Sequence, residues 1–364
     1  MNLRCFSMKT NKNFQKQKLI VGILTTSGKN SKITGNLSLF RDISTRLEKK
    51  GGKAILFTPD SLKENQLTSG FIFNKKKNCW ITIDIERVPN VIYNRIPYRK
   101  DENTEQFKRF KAWCSVHNIP IFNGGFFKKW DVYRALSKDP ILKKHVPFTQ
   151  LIRSKEQLEE QLNKFNSLYL KPNDGSKGNG IFVLSRYEDN TIHIKGHSGM
   201  YGTSIFQNIW EKKVNPLLLD RDYILQEKTD ILKYEECSFD YRVLAHHVKD
   251  KWVVSGVGIR QSMLNGITTH VLKGGNILTM DEVKTEKDLV EINKLALLCG
   301  NALEKAYRNK TDFGCIKEFS MDIGKTVDGQ FFIFDVNSKL MKFDEPDIYE
   351  AGLNHLVDIF LEYE

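Results

Sequence analysis

The stretch LYLKPNDGSKGNGIFVLS, residues 168–185, constrains the fold more than any other segment of the chain. Two apolar runs flank a loop that contains Gly175, Gly178 and Gly180. Glycines allow backbone N–H groups to approach phosphate oxygens closely, and nearby lysines add positive charge. A Walker A loop or a dinucleotide-binding loop leads into a helix, whereas a strand follows this loop, so neither is indicated. A phosphate-covering loop and a merely flexible hairpin both remain open.

Strand and helix patterns alternate over residues 19–123, which predicts a parallel α/β domain. KLIVGILTT, KAILFTP, PNVIYNRIPYR and IPIFN have the pattern of strands, and GFIFNKKKNCWITID that of an edge hairpin. SLFRDISTRLEKKGG and ENTEQFKRFKAWCSVHN have apolar residues at helical spacing. Residues 1–18 are basic and polar and lack the apolar segment of a secretion signal, so we expect a flexible leader there.

Two α+β units are predicted to follow, over residues 124–221 and 222–364. The first has helices in GGFFKKWDVYRALSKD and SKEQLEEQLNKF, the second capped by Ser154, and then the two strands around the glycine loop. The second has strands in DYILQEK, DYRVLAHHV, KWVVSGVGIRQ and THVLK, and a long helix in EKDLVEINKLALLCGNALEKAYR. A hairpin turning at Asp328-Gly329 and a helix in DIYEAGLNHLVDIFLEY complete it.

This hairpin places acidic side chains together. Asp335 and Asn337 are two residues apart, so they share one face of a strand, and pairing around the turn brings Asp322 beside Asp335. Two carboxylates and an amide oxygen form a set of ligands suited to Mg²⁺ against phosphates. Alternatively, Asp322 faces solvent and Asn337 only ends the strand. The strand YILQEK could offer backbone groups to a flat base, with Glu227 available to a ribose.

The order of these segments resembles the ATP-grasp superfamily and, more narrowly, the endospore coat-associated YheC/YheD family. The segments that carry the narrower resemblance extend from about residue 19 to the C-terminus; they are VGILTT, PNVIYNRIPYR, PIFNGGFFKKWDVYRAL, VPFTQ, YLKPNDGSKGNGI, DYRVL, WVVSGVGIR and ITTHVLKGGN. The resemblance implies an ATP-grasp fold in which two α+β subdomains enclose ATP behind an N-terminal parallel α/β domain.

The resemblance also implies roles for individual residues. Arg260, assisted by Arg242, would stabilise charge on a transferring phosphoryl group, and Asp322, Asp335 and Asn337 would hold one or two Mg²⁺ ions. The ATP-binding residues would be two phosphate lysines, the loop over the phosphates and the adenine and ribose contacts: Lys129, Lys171, Gly175, Ser176, Lys177, Gly178, Gly180, Gln226, Glu227 and Lys228.

The activity implied is that of an ATP- and Mg²⁺-dependent ligase, which makes an acyl phosphate from a carboxylate and passes the acyl group to an amine or thiol. The substrate would be a peptide or an amino acid, and a link to sporulation would follow from the family. Three positions depart from the usual family pattern: Asp335 replaces a glutamate, Asn179 a loop cation and His270 an asparagine. These departures suggest the alternative of a nucleotide-binding structural protein of the spore coat with weak catalysis.

On the substrate side, YNRIPYR offers Asn94, Arg95 and Arg99, because arginines suit carboxylate or phosphate recognition. The same residues could instead bridge domains. His246 and His247 are expected to be neighbours on a strand with no catalytic role.

Charge and cysteine content limit the remaining classes of protein. The formal net charge is +12, but the lysines are dispersed, so a nucleic-acid-binding protein is the least favoured reading. Six scattered cysteines without a C-x-x-C pair argue against a zinc site and a disulfide framework, and indicate reduced thiols in a cytoplasmic compartment. An apolar run of about 18 residues would be needed to span a membrane, and none is present.

Overall fold

Three six-stranded sheets organise the chain. The computed structural model describes residues 19–28, 33–175, 178–196, 201–269, 271, 274–283, 286–308, 310 and 313–364. Residues 1–18, for which the sequence predicts a leader, lie outside that range, as do Ser176, Lys177 and His270.

The first sheet has the strand order β6-β5-β2-β1-β7-β8. Its strands β2, β1, β7 and β8 are parallel, and the β5–β6 hairpin adds an antiparallel edge, as predicted. The strands are β1 Ile20–Leu24, β2 Lys53–Phe57, β5 Ser69–Asn74, β6 Cys79–Asp84, β7 Val91–Asn94 and β8 Ile121–Phe122, with a small hairpin of β3 Leu62–Lys63 and β4 Gln66–Leu67. The helices are α1 Leu37–Lys49, α2 Arg99–Glu102 and α3 Glu105–Val116.

The second sheet is antiparallel, with the order β13-β12-β11-β10-β14-β9. Its helix α5 begins after the predicted cap, because Ser154 Oγ accepts the Gln157 N–H at 3.2 Å. The strands are β9 Thr149–Leu151, β10 Ser167–Pro172, β11 Phe182–Arg186, β12 Ile192–Gly196, β13 Tyr201–Ser204 and β14 Tyr223–Glu227. The helices are α4 Lys129–Leu136, α5 Lys155–Phe165, α6 Phe206–Ile209 and α7 Asn215–Asp220, with a π-helical turn at Trp210–Val214 between the last two.

The third sheet has the order β18-β17-β16-β19-β20, with β15 beside β16. The strand predicted for THVLK is wrong for the described residues Thr269 and Val271, which lie outside any strand; the edge strand is β18 instead. The strands are β15 Lys233–Tyr234, β16 Cys237–Val248, β17 Lys251–Gln261, β18 Asn276–Leu278, β19 Glu318–Lys325 and β20 Phe331–Asn337. The helices are α8 Met280–Val283, α9 Leu289–Tyr307 and α10 Pro346–Leu361.

Helix α10 joins the first and third sheets. Its residues Leu353, Val357 and Phe360 are buried in the same apolar cluster as β1 and α1. Helix α4 precedes the second sheet in the chain but packs against the third sheet. Its residues Val132 and Leu136 lie in the core between α9 and the third sheet. The second sheet has a separate core of its own. The first and third sheets therefore form one packed body, against which the second sheet stands.

Asn123 connects the first domain to the third sheet. Its side chain is fully buried and donates to the carbonyls of Glu318 and Ser338 at 3.0 and 2.6 Å. It also accepts the Lys317 N–H at 3.0 Å. The next residue, Gly124, is equally constrained, because an added Cβ would lie 2.2 Å from the Phe313 carbonyl oxygen.

We expect Asn123→Ala to lower the free energy of unfolding by about 2 to 4 kcal/mol, because buried backbone groups lose their partners. The positive φ of Asn123, 52°, adds to the cost of the substitution. Exposed Asn118, with φ 54°, offers a matched control that carries the backbone cost alone. Chemical denaturation of both variants separates the two effects. Equal losses for Asn123→Ala and Asn118→Ala would contradict the role of the buried hydrogen bonds.

Candidate functional site

Two adjoining cavities lie between the second and third sheets. The larger, of about 870 Å³, is bordered by strands β10 and β11 on one side and by β16 and the segment 262–269 on the other. The smaller, of about 310 Å³, extends toward the first domain. Both are bordered by Lys129, Ile181, Asp322 and Asp335. The two cavities are therefore parts of one cleft, and the acidic pair stands at their junction.

The β19–β20 hairpin brings the predicted acids together. Asp322 pairs with Asp335 across the hairpin, and Asn337 is opposite Ser320, with a register shift after Asp322. Lys129 Nζ lies 2.6 Å from Asp335 Oδ1, and Asn337 Nδ2 donates to Asp335 Oδ2 at 3.3 Å. The alternative in which Asp322 faces solvent is wrong, since only 7% of this residue is exposed.

Arg260 lies between two carboxylates. It donates to both oxygens of Asp240 at 3.0 and 2.9 Å, and its Nη2 is 2.9 Å from Asp322 Oδ1. Thr269 Oγ1 donates to Asp240 at 2.6 Å. Burial by itself would lower the pKa of Arg260, but Asp240 and Asp322 raise it well above its ordinary value. Arg260 is therefore a fixed cation at the edge of the acidic pair.

Asp240 and Thr269 were not singled out from the sequence. Asp240 is the first residue of the segment DYRVL, and it lies opposite Arg260 where β16 pairs with β17. Burial raises the pKa of the Asp240 carboxyl to about 6, with Asp322 adding to the rise and Arg260 opposing it. The sequence carries no direct signal for Asp240, because its pairing with Arg260 follows only from the register of β16 with β17.

Lys171 is buried at the end of β10 and points toward the larger cavity. Its ammonium donates to Gln226 Oε1, and Gln226 Nε2 donates to Thr149 Oγ1 at 3.0 Å. Burial lowers the pKa of Lys171 to about 8; Lys129 contributes, whereas Asp335 and Asp322 oppose the change. A buried ammonium with a lowered pKa favours binding of an anion beside it, because the anion stabilises its charged form.

The glycine loop borders the smaller of the two cavities. Gly175, Gly178 and Asn179 border the smaller cavity. Gly178 and Gly180 have φ of 69° and 72°, a region that L side chains rarely adopt. The loop is tied to α4 by Asn173, whose carbonyl and side-chain oxygens accept the N–H groups of Lys129 and Trp130, both at 2.9 Å. The hairpin prediction is thus confirmed for the described part of the loop.

The predicted adenine and ribose contacts lie along β14 and just after it. Gln226 is buried, and its side chain makes the hydrogen bonds to Lys171 and Thr149 described above. Glu227 uses a carboxylate oxygen to accept the Phe148 N–H at 3.3 Å. Lys228 borders the larger cavity, and its ammonium is 2.9 Å from Asp230.

Arg242 borders the smaller cavity with few partners. It donates to the Met341 carbonyl at 3.0 Å and stacks over Phe343 at 4.4 Å from the ring centroid. Burial lowers the pKa of Arg242, and Asp322 is the first of the groups that oppose this change. Its side chain borders the smaller cavity as a cation.

The three residues expected on the substrate side contact other parts of the protein. Asn94 donates to Glu102 at 2.7 Å and is fully buried. Arg99 donates to the Phe127 carbonyl at 2.7 Å. Arg95 bonds Glu318 and the Leu340 carbonyl at 3.3 and 2.8 Å, and borders the smaller cavity. The domain-bridging alternative describes Arg95 and Arg99, whose partners lie outside residues 19–123, whereas Asn94 and Glu102 belong to the same domain. Of the three, Arg95 alone borders the smaller cavity.

Lys339 is a further residue of this cavity that the sequence did not single out. Two positions after Asn337, it donates to Glu102 and, at 3.2 Å, to the Ile96 carbonyl. Burial lowers its pKa to about 8, with Glu102 opposing the change. Lys339 lies beyond the end of β20, so the alternation of that strand gave no signal for its place in the cavity.

The donor set at the junction suits a magnesium ion. In the described part of the chain, no three His, Cys, Asp or Glu side chains are grouped so that they could hold a metal. Two carboxylates and an amide oxygen nevertheless provide hard oxygen ligands of the kind that bind Mg²⁺ together with phosphates. Each carboxylate already faces a cation, Lys129 or Arg260, which shows that the site accommodates positive charge.

Three sheets around a cleft with lysines, a glycine loop and paired acids define an ATP-grasp fold, and solved structures agree. The D-Ala:D-Ser ligase VanG of Enterococcus faecalis superposes with a TM-score of 0.56 at 11% identity, covering 96% of this chain and 100% of that one. The ATP-grasp ligase PsnB with a minimal precursor gives 0.52 at 14% identity, covering 95% and 99%. At such identities the likeness concerns the fold, and the predicted fold class is confirmed.

The family model described as YheC/D-like ATP-grasp matches residues 118–364, and the chain belongs to this family. It is 28% identical over 325 residues to the endospore coat-associated protein YheD of Bacillus subtilis (strain 168), covering 86% of this chain and 70% of that protein. It is 26% identical over 328 residues to YheC of the same strain, covering 84% and 87%. None of the described helices is long and apolar enough to cross a membrane.

Proposed function

We propose that this protein is an ATP- and Mg²⁺-dependent ligase that joins a carboxylate to an amine or thiol through an acyl phosphate. The observation that carries the proposal is the position of Asp322 and Asp335 at the junction of two cavities, each beside a cation. A nucleotide in one cavity and an acid in the other would meet at this pair. Family membership and ATP-grasp ligases as structural neighbours support the same activity.

In this proposal the larger cavity takes ATP. Lys129 and Lys171 contact the phosphates. The loop that covers the phosphates consists of Gly175, Ser176, Lys177, Gly178 and Gly180. Gln226, Glu227 and Lys228 contact the adenine and ribose. We also propose that the chain is divided into a leader, 1–18, an N-terminal domain, 19–123, and ATP-grasp subdomains 124–221 and 222–364.

The smaller cavity takes the carboxylate substrate. A carboxylate oxygen attacks the terminal phosphorus of ATP, the bond to ADP breaks, and an acyl phosphate forms. An amine then attacks the acyl carbon, phosphate leaves, and the amine loses a proton. Arg260, assisted by Arg242, stabilises the negative charge that develops on the transferring group. The glycine loop over the junction keeps water from the acyl phosphate.

Asp322, Asp335 and Asn337 would hold the magnesium. The ion would neutralise phosphate oxygens while Lys129 and Lys171 orient them. We propose that the substrate side of the site includes Asn94, Arg95 and Arg99. Arg95 is the best supported as a substrate contact, because it borders the smaller cavity.

A thermal shift with ATP and Mg²⁺ tests the nucleotide site. A ligand at 100 times its Kd stabilises the native state by about 2.7 kcal/mol. We expect a shift with ATP and Mg²⁺, a smaller one with ATP and EDTA, and none with Lys171→Met. Exposed Lys212 provides the matched control as Lys212→Met. No shift in the parent protein would overturn the proposal, whereas a shift would be followed by measuring ADP release with mixtures of amino acids and peptides.

A second candidate function is a nucleotide-binding structural protein of the spore coat with little turnover. The two relatives are named for association with the endospore coat, which favours this candidate and a place in the developing spore. Asp335 in the place of a longer glutamate also favours it. ATP-dependent stabilisation without ADP release in any acceptor mixture would select this candidate over the ligase.

The low pKa of Lys171 predicts a pH-dependent affinity for ATP. In the free protein this lysine loses its proton as the pH rises through about 8. A bound phosphate favours the ammonium form, so binding above that pH requires proton uptake. We expect affinity to be constant near pH 7 and to fall by up to about tenfold per pH unit above 8.

Calorimetric titration in buffers of different ionisation enthalpy measures this proton uptake directly. Lys171→Arg provides the control, because arginine stays protonated throughout this range. The same pH dependence in Lys171→Arg would show that another group is responsible.

A further inference from the structure

A third, smaller cavity adjoins the one assigned to the carboxylate substrate, on the side away from the nucleotide. Its volume is about 50 Å³. The two cavities share their borders at Asn36, Arg95, Leu340, Met341 and Lys342. A ligand in the substrate cavity can therefore extend into this third cavity without crossing the nucleotide site.

The walls of the third cavity are mostly apolar and come from three separate elements. Leu39 of α1 contributes one side, Leu244 of β16 another, and Leu353 and Leu356 of α10 a third. Phe343 completes the wall. Apart from half-buried Leu39, these side chains are at most 4% exposed, so their positions are fixed by core packing.

The buried polar groups around Glu318 in this cavity satisfy one another. Tyr93 Oη donates to Glu318 at 2.7 Å, Arg95 is 3.3 Å from the same carboxylate and His246 is 3.5 Å from it. Although burial acts to raise the pKa of Glu318, contacts with His246, Arg95 and Tyr93 lower it, so the carboxylate stays ionised and paired. A polar ligand group at this buried end would lose its water and meet a carboxylate that is already paired.

The size of the cavity limits what can occupy it. A buried water requires roughly 10 to 15 Å³ of such volume, so the cavity holds about four atoms of similar size. A branched aliphatic group of about four carbons, such as the isobutyl group of leucine, is of this size.

We infer that the third cavity binds the aliphatic side chain of the carboxylate substrate. The substrate class is thus a small branched aliphatic acid or amino acid, with its carboxylate toward Arg242 and Arg260 and its side chain among Leu39, Leu244 and Leu356. This inference rests on the proposed ligase function, since that function places the acid in the neighbouring cavity.

The test uses isovalerate and acetate as probes, neither of which requires turnover. Each buried methylene strengthens binding about fourfold, so isovalerate should bind the full chain at least about tenfold more tightly than acetate. Ligand-observed saturation-transfer NMR should also show contact through the methyl groups. Equal affinity for the two acids would overturn the inference.

Leu39→Trp fills the cavity from its half-buried side and should reduce isovalerate binding to the level of acetate. Leu37→Trp, on the same helix and also half-buried, should leave the preference unchanged. If Leu39→Trp does not fold, Leu39→Ala takes its place; it enlarges the cavity and should shift the preference from isovalerate toward isocaproate. A preference that survives in every Leu39 variant would overturn the inference.

The proposed function and this inference fail separately. No ATP-dependent thermal shift, with isovalerate binding that depends on Leu39, would remove the ligase proposal and leave an aliphatic-acid site. An ATP-dependent shift with no preference for isovalerate would remove the inference and leave the ligase.

Discussion

Arg260→Met is expected to lower the free energy of unfolding by about 3 to 5 kcal/mol, because it leaves buried carboxylates without their cation. Asp240 loses both hydrogen bonds from the guanidinium, and Asp322 loses its 2.9 Å contact. ADP release should fall by about two to three orders of magnitude, because a preorganised charge near the transferring phosphoryl group is removed. Denaturation and a coupled ADP assay measure the two effects independently.

The stability loss should depend on pH in a defined direction. Burial already raises the pKa of Asp240 to about 6, and removal of the arginine raises it further. Between the ordinary carboxyl pKa and the raised pKa of Asp240, the folded variant binds more protons than the unfolded chain. Its free energy of unfolding therefore falls as the pH rises between these two pKa values. The loss should be larger at pH 8 than at pH 5.5.

A double variant separates folding from catalysis. Arg260→Met with Asp240→Asn removes the uncompensated charge and should recover much of the stability, while ADP release stays low. Recovery of both properties would show that Arg260 acts only through the fold. Arg260→Lys retains the charge but not the two-pronged contact with Asp240, so it should lie between the parent protein and the methionine variant.

Asp335→Asn is expected to abolish most of the difference between the thermal shifts with ATP and Mg²⁺ and with ATP and EDTA. The amide cannot supply the negative charge that a divalent cation requires, and Lys129 loses its 2.6 Å partner. ADP release should fall by about two orders of magnitude or more. Titration of Mg²⁺ in the ADP assay is the measurement.

Two further substitutions on the same hairpin sharpen this prediction. Exposed Asp328 in the turn is a matched control, and Asp328→Asn should leave metal dependence unchanged. Asp335→Glu supplies the longer side chain that the family pattern usually has, and it should retain the metal response. An unchanged metal response in Asp335→Asn would exclude this residue as a ligand.

Local patterns in the sequence predicted the elements that carry the site. The hairpin around Asp328-Gly329 could be predicted from the sequence, and the predicted pairing of Asp322 with Asp335 is confirmed. The pairs next to the turn would set Asp322 opposite Phe334, and a register shift between Asp322 and Ile323 brings it opposite Asp335. The helices and their caps follow from equally local signals, as at Ser154. These predictions succeeded because each depends on residues that are near in the chain.

Contacts between distant segments could not be predicted in this way. The ion pair of Asp240 with Arg260 requires the register of two long strands, and the Glu318 partner of Arg95 lies 223 positions away. Strands β12 and β13 were also missed: IHIKG alternates apolar and polar residues over only five positions, and YGTS has little apolar character. The strand predicted in THVLK is wrong for the described residues, because an apolar pair beside a threonine suggests a strand equally well in an irregular loop.

The separate core of the second sheet has a mechanical consequence. One wall of the larger cavity belongs to that core, and the opposite wall to the body formed by the first and third sheets. The two walls can change their angle without disturbing the packing inside either one. If the cleft takes a nucleotide as proposed, opening it would involve no loss of buried apolar contacts within a core, so we expect heat resistance and exchange speed to respond to different substitutions.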